Sequence, residues 1–212
     1  MTGPRIAVLD YGIGNLRSAE KALQHVGAAA RLVTDPAEVE AAHAVVLPGV
    51  GAFGACARAL RESGLEKVAR AAIAADVPFL AVCIGFQLLY EGSDENVDEN
   101  GQELGLGIFP GRVTALAPTV KHPQMQWNQL ELVGPELEPG PASLRGQGPR
   151  PWVYFVHSFA PPVGAETVAV CDYGGPVAAL VERGNLWGAQ FHPEKSGRKG
   201  LALLANFVAL AA

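Results

Sequence analysis

Short apolar runs alternate with amphipathic stretches through the first half of the chain. "RIAVLD" (5–10) is closed by the turn "YGIGN" and followed by "LRSAEKALQHVG" (16–27), where Leu16, Ala19, Leu23 and Val26 recur at helical spacing and Gly27 can cap the end. "ARLVT" reads as a strand, "DPAEVEAA" as a Pro-led helical turn, and "HAVVLP" (43–48) as another strand. Two helices split near Gly64 come next, and "VPFLAVC" opens a further strand. Such alternation predicts a mostly parallel central sheet flanked by helices.

The second half changes character. "GRVTAL", "NQLELV", "WVYFVHSF", "TVAVCDY", "AALVERG" and "LWGAQFH" are closely spaced strands separated by Gly, Pro, Asn and Asp turns. They are expected as antiparallel additions to the sheet or as a small side sheet. "RKGLALLANFVALAA" predicts a closing helix with a strongly apolar face. The loop-like stretches at 93–107 and 134–151 are too short for domain linkers, so residues 1–212 read as one α/β domain.

Composition narrows the classes. The chain is 49% apolar and 17% charged, with a net charge of −5, which leaves no electrostatic footprint for nucleic acid or an anionic membrane. No run is apolar enough for a signal peptide or a membrane span. Three widely spaced cysteines, Cys56, Cys83 and Cys171, read as free thiols in a reducing compartment, so a soluble cytoplasmic protein is expected.

The candidate chemistry begins in "FLAVCIGFQLL" (79–89), a buried strand that becomes a helix with Cys83 at the join. Groups beyond the carboxyl ends of strands in such sheets face the ligand crevice. A strand–nucleophile–helix turn lifts the side chain out of the sheet, and the helix N-terminus favours the thiolate. Gly85 relieves crowding in the turn. Alone, a cysteine ending an apolar strand is usually core packing. "QFHPEKS" (190–196) changes that balance, because His192 and Glu194 stand two apart at another strand end. The carboxylate can then orient the imidazole while the second ring nitrogen faces the thiol.

"LPGVGAFG" (47–54) matches G-x-G-x-x-G at Gly49, Gly51 and Gly54. A dinucleotide site is one reading. Pro48 and the absence of an acid at the end of the next strand count against it, and backbone N–H groups aimed at an oxyanion beside the thiol are the preferred use. "NVDENG" (96–101) resembles half a calcium loop but has Asn96 first and Gly107 in the twelfth position. The five histidines form no ligand cluster, so no metal and no cofactor are expected.

Taken together, "CIGFQLL" and the His-Pro-Glu stretch resemble the class I (triad) glutamine amidotransferases. "DYGIGNLRS", "LPGVGAFG", "PQMQWNQL", "YFVHSF" and "QFHPEKS", in that order, are most similar to the glutaminase subunits of imidazole glycerol phosphate synthases. The resemblance spans essentially the whole chain. It implies Cys83 as nucleophile, His192 as acid/base and Glu194 as orienting carboxylate, with an oxyanion hole from the backbone N–H groups of Val50 and Ile84 after a loop peptide reorients. It also implies that glutamine is held near Gly49, Gly51, Gln87, Glu95 and the backbone of His157, Ser158 and Phe159. A partner surface at Asn15, Met125, Trp127, Asn128, Tyr154 and Lys195 would dock a (β/α)8 cyclase subunit as a heterodimer, because ammonia released into water is protonated and lost as a nucleophile.

Three positions depart from the family's common pattern. Phe86 stands where Met is usual, Gln126 where Gly is common, and Ala81 where Gly often precedes the nucleophile. Rival readings are the glutaminase of another synthase such as anthranilate synthase, a free-standing γ-glutamyl hydrolase, and a non-catalytic binding module.

Overall fold

The computed structural model describes residues 3–95, 104–133 and 140–212. The first half runs β1 (Arg5–Leu9), α1 (Leu16–His25), β2 (Ala29–Val33), α2 (Pro36–Glu40), β3 (Ala44–Gly49), α3 (Phe53–Glu62), α4 (Leu65–Ala74), β4 (Phe79–Cys83) and α5 (Ile84–Gln87). Two boundaries show a clear local cause. Asp35 accepts a hydrogen bond from the Ala37 N–H to cap α2, with Pro36 at the first helical position. Gly64, at φ 77°, makes the left-handed break between α3 and α4.

The second half continues with β5 (Gly92–Ser93), β6 (Arg112–Ala115), β7 (Gln124–Gln129), β8 (Glu131–Leu132), β9 (Trp152–His157), β10 (Phe159–Ala160), β11 (Thr167–Asp172), β12 (Pro176–Arg183), β13 (Leu186–Ala189) and α6 (Gly197–Leu210). The main sheet has the order β2-β1-β3-β4-β13-β12-β11-β8. Strands β2, β1, β3, β4 and β13 are mutually parallel, while β12, β11 and β8 extend the sheet antiparallel. Two side assemblies, β10-β6-β5 and the ribbon β7-β9, stand apart from it. On the helical layers α1 packs against α6, and α4 packs against both α2 and α3.

The α/β architecture matches expectation, with two local differences. "LWGAQFH" was expected antiparallel, yet β13 inserts beside β4 and runs parallel to it. "NQLELV" is not one strand. Its first residues end β7, Leu130 turns fully buried, and β8 then joins the main sheet. Among the described residues no helix is long and apolar enough to cross a membrane, and the three cysteines are free and buried. "NVDENG" (96–101) lies outside the described residues.

Candidate active site

Strands β1, β3, β4 and β13 all deliver their carboxyl ends to one edge of the sheet, and the chain leaves β4 through a strained corner. Cys83 has φ 56° and ψ −112°, a backbone conformation that non-glycine residues rarely adopt. The turn is tight enough to require Gly85: a Cβ there would lie 1.9 Å from the Leu47 carbonyl oxygen. The departures at Ala81 and Phe86 fit this setting. Ala81 is fully buried in β4, and Phe86 packs edge-on against Tyr90 and over Gly188, where a Cβ would come within 2.3 Å of its ring.

After β13 the chain turns through His192 into a short 3-10 turn, Pro193–Lys195. His192 Nδ1 lies 2.8 Å from Glu194 Oε1, with the two side chains 2% and 6% exposed. The carboxylate accepts from Nδ1–H, which leaves Nε2 for the thiol. Nε2 is buried and makes no hydrogen bond among the described residues, while Cys83 is close enough to act on the ring's charge. Burial works against the imidazolium, but Cys83 and Glu194 together outweigh it and raise the His192 pKa to about 9.

Facing the pair is a cavity of about 500 Å³. Cys83, His192, Val50, Gly51, Ile84, Gln87, Glu95, His157, Ser158 and Phe159 line it, so residues far apart in sequence converge there. Gly49 lies just behind the wall, and the space a side chain would need at that position is taken by Ile84, the Gly85 N–H and the Tyr11 hydroxyl. Glu95 Oε2 accepts from the Phe53 N–H at 2.7 Å, which anchors the start of α3 at the cavity rim. Gln87 Nε2 donates to the Phe159 carbonyl at 2.9 Å and to Gln190 Oε1 at 3.1 Å, leaving Gln87 Oε1 buried without a partner among the described residues. His157 Nδ1 donates to the same Phe159 carbonyl at 2.9 Å. Burial lowers the His157 pKa to about 4, opposed by the Phe159 hydrogen bond and aided by the nearby His192 charge, so its ring is neutral and Nε2 is an acceptor.

The expected partner residues divide into two groups. Asn15 and Lys195 sit at the cavity mouth. Met125, Trp127 and Tyr154 lie on the β7-β9 ribbon, with Met125 60% and Trp127 48% exposed and Trp127 directly opposite Tyr154. Asn128 does not share that face: strand alternation turns it away, and its Nδ2 donates to the Asp172 carbonyl at 2.9 Å. Gln126 occupies an ordinary exposed strand position opposite Phe155.

Sequence reading missed several supporting groups. Gln190 is fully buried at the end of β13, and its Nε2 points to the Cys83 sulfur at 3.9 Å. The Ser196 hydroxyl donates to the His192 carbonyl at 2.7 Å and accepts from the Tyr154 N–H at 3.0 Å, fixing the backbone that carries the imidazole. A polar residue ending an otherwise apolar strand was the available signal for Gln190. Nothing local marks Ser196.

Cysteine and histidine now share one cavity wall, with the carboxylate held against the histidine, the grouping needed for covalent acyl transfer. The profile of the family "Glutamine amidotransferase class-I" matches residues 7–211. The chain belongs to the class-I glutamine amidotransferases. Among curated relatives of this amidotransferase, "Imidazole glycerol phosphate synthase subunit HisH" of Thermosynechococcus vestitus is 48% identical over 216 residues, covering 99% of each chain. The subunit of the same name from Deinococcus radiodurans is 45% identical over 208 residues, covering 96% of this chain and 93% of its own. The amidotransferase fold is also that of the solved structure of PurLQS from Thermotoga maritima, at 19% identity and a TM-score of 0.76 over 100% of both chains.

Proposed function

We propose that this amidotransferase hydrolyses L-glutamine and passes the ammonia to a cyclase subunit, as the glutaminase half of an imidazole glycerol phosphate synthase. The observation that carries the reading is the strained Cys83 corner facing an imidazole that Glu194 holds in place, at the wall of a cavity sized for a small ligand. The relationship to subunits of that name supports the choice of pathway. Residues 1–212 act as one domain, which the family match across nearly the whole chain supports.

The reaction in this reading has two halves, acylation and hydrolysis. Cys83, as thiolate with its proton on His192, attacks the carboxamide carbon of glutamine. The carbonyl oxygen becomes an oxyanion between the backbone N–H groups of Ile84 and Val50. His192 then protonates the leaving nitrogen, ammonia departs, and a γ-glutamyl thioester remains on Cys83. Water, deprotonated by His192, hydrolyses the thioester to glutamate and frees the thiol. Glu194 stabilises the imidazolium and keeps Nε2 aimed at the sulfur. The glutamine body lies along Gly51, Gln87 and the His157–Phe159 backbone, with Gly49 behind that wall and Glu95 toward the ammonium group.

Asn15, Met125, Trp127, Tyr154 and Lys195 form the docking face for a (β/α)8 cyclase, giving a cytoplasmic heterodimer. There the ammonia reacts with a phosphoribulosyl formimino carboxamide ribonucleotide to give imidazole glycerol phosphate and aminoimidazole carboxamide ribotide. The exposed Met125 and Trp127 support a partner surface, since large apolar side chains on a ribbon are otherwise costly to leave in water. The test is glutamate release from L-glutamine by the purified chain, alone and with the cyclase and its nucleotide ligand, with Cys83→Ala as control. Strong stimulation in the complex and none in the variant support the reading, and activity indifferent to the cyclase contradicts it.

A further inference from the structure

The loop between β3 and α3 carries the Val50 N–H, and two buried side chains from other elements grip it. The Tyr11 hydroxyl, from the turn after β1, donates to the Pro48 carbonyl at 2.6 Å. The Cys56 thiol, one turn into α3, donates to the Val50 carbonyl at 3.3 Å. These carbonyls belong to the two peptides on either side of the Gly49–Val50 peptide. Strand pairing with β4 runs up to Gly49, opposite Cys83.

We infer that Tyr11 and Cys56 are positioning residues of the amidotransferase reaction, a clamp on the two flanking peptides that sets where the Val50 N–H can point. This rests on the reading of Val50 as an oxyanion donor. With both flanking carbonyls held, the Gly49–Val50 peptide can turn only as a unit between fixed ends, beside the reacting sulfur. Glycine at 49 suits that motion, and nothing larger fits, since a Cβ there would lie 2.8 Å from both the Tyr11 hydroxyl and the Gly85 nitrogen.

The two clamping groups also address each other. They lie within hydrogen-bonding reach, and both sense the charge of Cys83. Burial, and then the charge of Cys56, push the Tyr11 phenol well above its ordinary pKa. Burial raises the Cys56 thiol to about 11, outweighing the nearby Tyr11 hydroxyl. Both groups therefore stay protonated, and able to donate, across the range in which the enzyme works. Glu95 completes the support by pinning the Phe53 N–H, which fixes the helix that carries Cys56.

An oxyanion donor acts on the transition state more than on bound glutamine. The test compares Tyr11→Phe, Cys56→Ala and Cys56→Ser with the parent, each in complex with the cyclase. Loosening the clamp is expected to lower kcat for glutamate release by roughly ten-fold in Tyr11→Phe and Cys56→Ala, with KM within about two-fold of the parent. Cys56→Ser keeps a donor and is expected to recover most of the rate. Alkylation of Cys83 by iodoacetamide, read by peptide mass mapping, needs the thiolate but no oxyanion hole and is expected to run at the parental rate.

Unchanged kcat in both donor-less variants overturns the clamp while leaving the glutaminase reading intact. So does a parallel fall in kcat and in Cys83 alkylation, which marks general damage to the site. A parent complex that releases no glutamate overturns the reading of the site and the clamp with it.

Discussion

Glu194 Oε1 sits 2.8 Å from His192 Nδ1, two residues away across a single proline, and this contact decides which ring nitrogen faces Cys83. Glu194→Gln keeps the length of the side chain but removes its charge. The account predicts a loss of kcat on the order of 10²–10⁴ in glutamate release. Because Glu194 helps hold the His192 pKa up, the limb of the pH–rate profile that reports this histidine should also move to lower pH. An unshifted profile would argue that Glu194 only packs.

The strained corner makes its own prediction. In Gly85→Ala the new methyl would meet the Leu47 carbonyl oxygen at 1.9 Å, and that oxygen is fixed by its place in β3. Thermal unfolding should shift down by an amount matching at least about 1–3 kcal/mol, the usual cost of overpacking. Glutamate release should fall with it, since the backbone that lifts Cys83 has to move. A stable and fully active Gly85→Ala enzyme would show that the turn is looser than described.

His157 links the site to acid stability. Its pKa in the folded chain is about 4, below the ordinary 6.5, so the unfolded chain takes a proton that the folded one refuses. Its contribution is therefore intact above 6.5 and is lost as pH falls from there toward 4. From this residue alone, urea unfolding should report about 2 kcal/mol less stability at pH 5 than at pH 7. His157→Asn can retain the hydrogen bond to Phe159 without titrating, and should show a shallower acid limb than the parent.

His192 has the opposite sign. Its folded pKa, about 9, lies above 6.5, so its stabilising interactions are complete below 6.5 and fade as pH rises through 9. Denaturation at pH 7 and 9.5 should show a loss in the parent that is smaller in His192→Gln.

The ribbon prediction concerns assembly. Trp127 is half exposed against Tyr154, so Trp127→Ala should leave the melting temperature of the isolated chain nearly unchanged. Its affinity for the cyclase should fall by roughly 30-fold, as for an aromatic anchor at an interface centre. Titration calorimetry or an ammonia-coupled assay would read this. Unaltered affinity would place the docking face elsewhere.

Much of this fold was legible because local chemistry and topology agree. The run from "VPFLAVC" into "CIGFQLL" changes period at Cys83, and that change is the corner itself. Gly64 marks the break between α3 and α4, and the His192–Glu194 spacing is short enough to read directly. Direction was harder. Nothing within "LWGAQFH" says that it lies beside β4, because pairing between residues about a hundred positions apart is decided by the whole sheet. Separation along the chain, from 37 to 103 positions, also hides the supporting polar groups. Gln87 meets Gln190, Tyr154 meets Ser196 and Tyr11 meets Pro48 only after the strands are ordered. The placement of Asn128 follows from a simpler rule: period-two alternation puts it on the ribbon face opposite Trp127.

The most direct test of the account is to quench the complex in acid during turnover of L-glutamine and map the modified peptides by mass. A γ-glutamyl adduct on the peptide containing Cys83, absent in Cys83→Ala together with glutamate release, is the predicted result. Glutamate release that persists in Cys83→Ala with no adduct on the parent would contradict it.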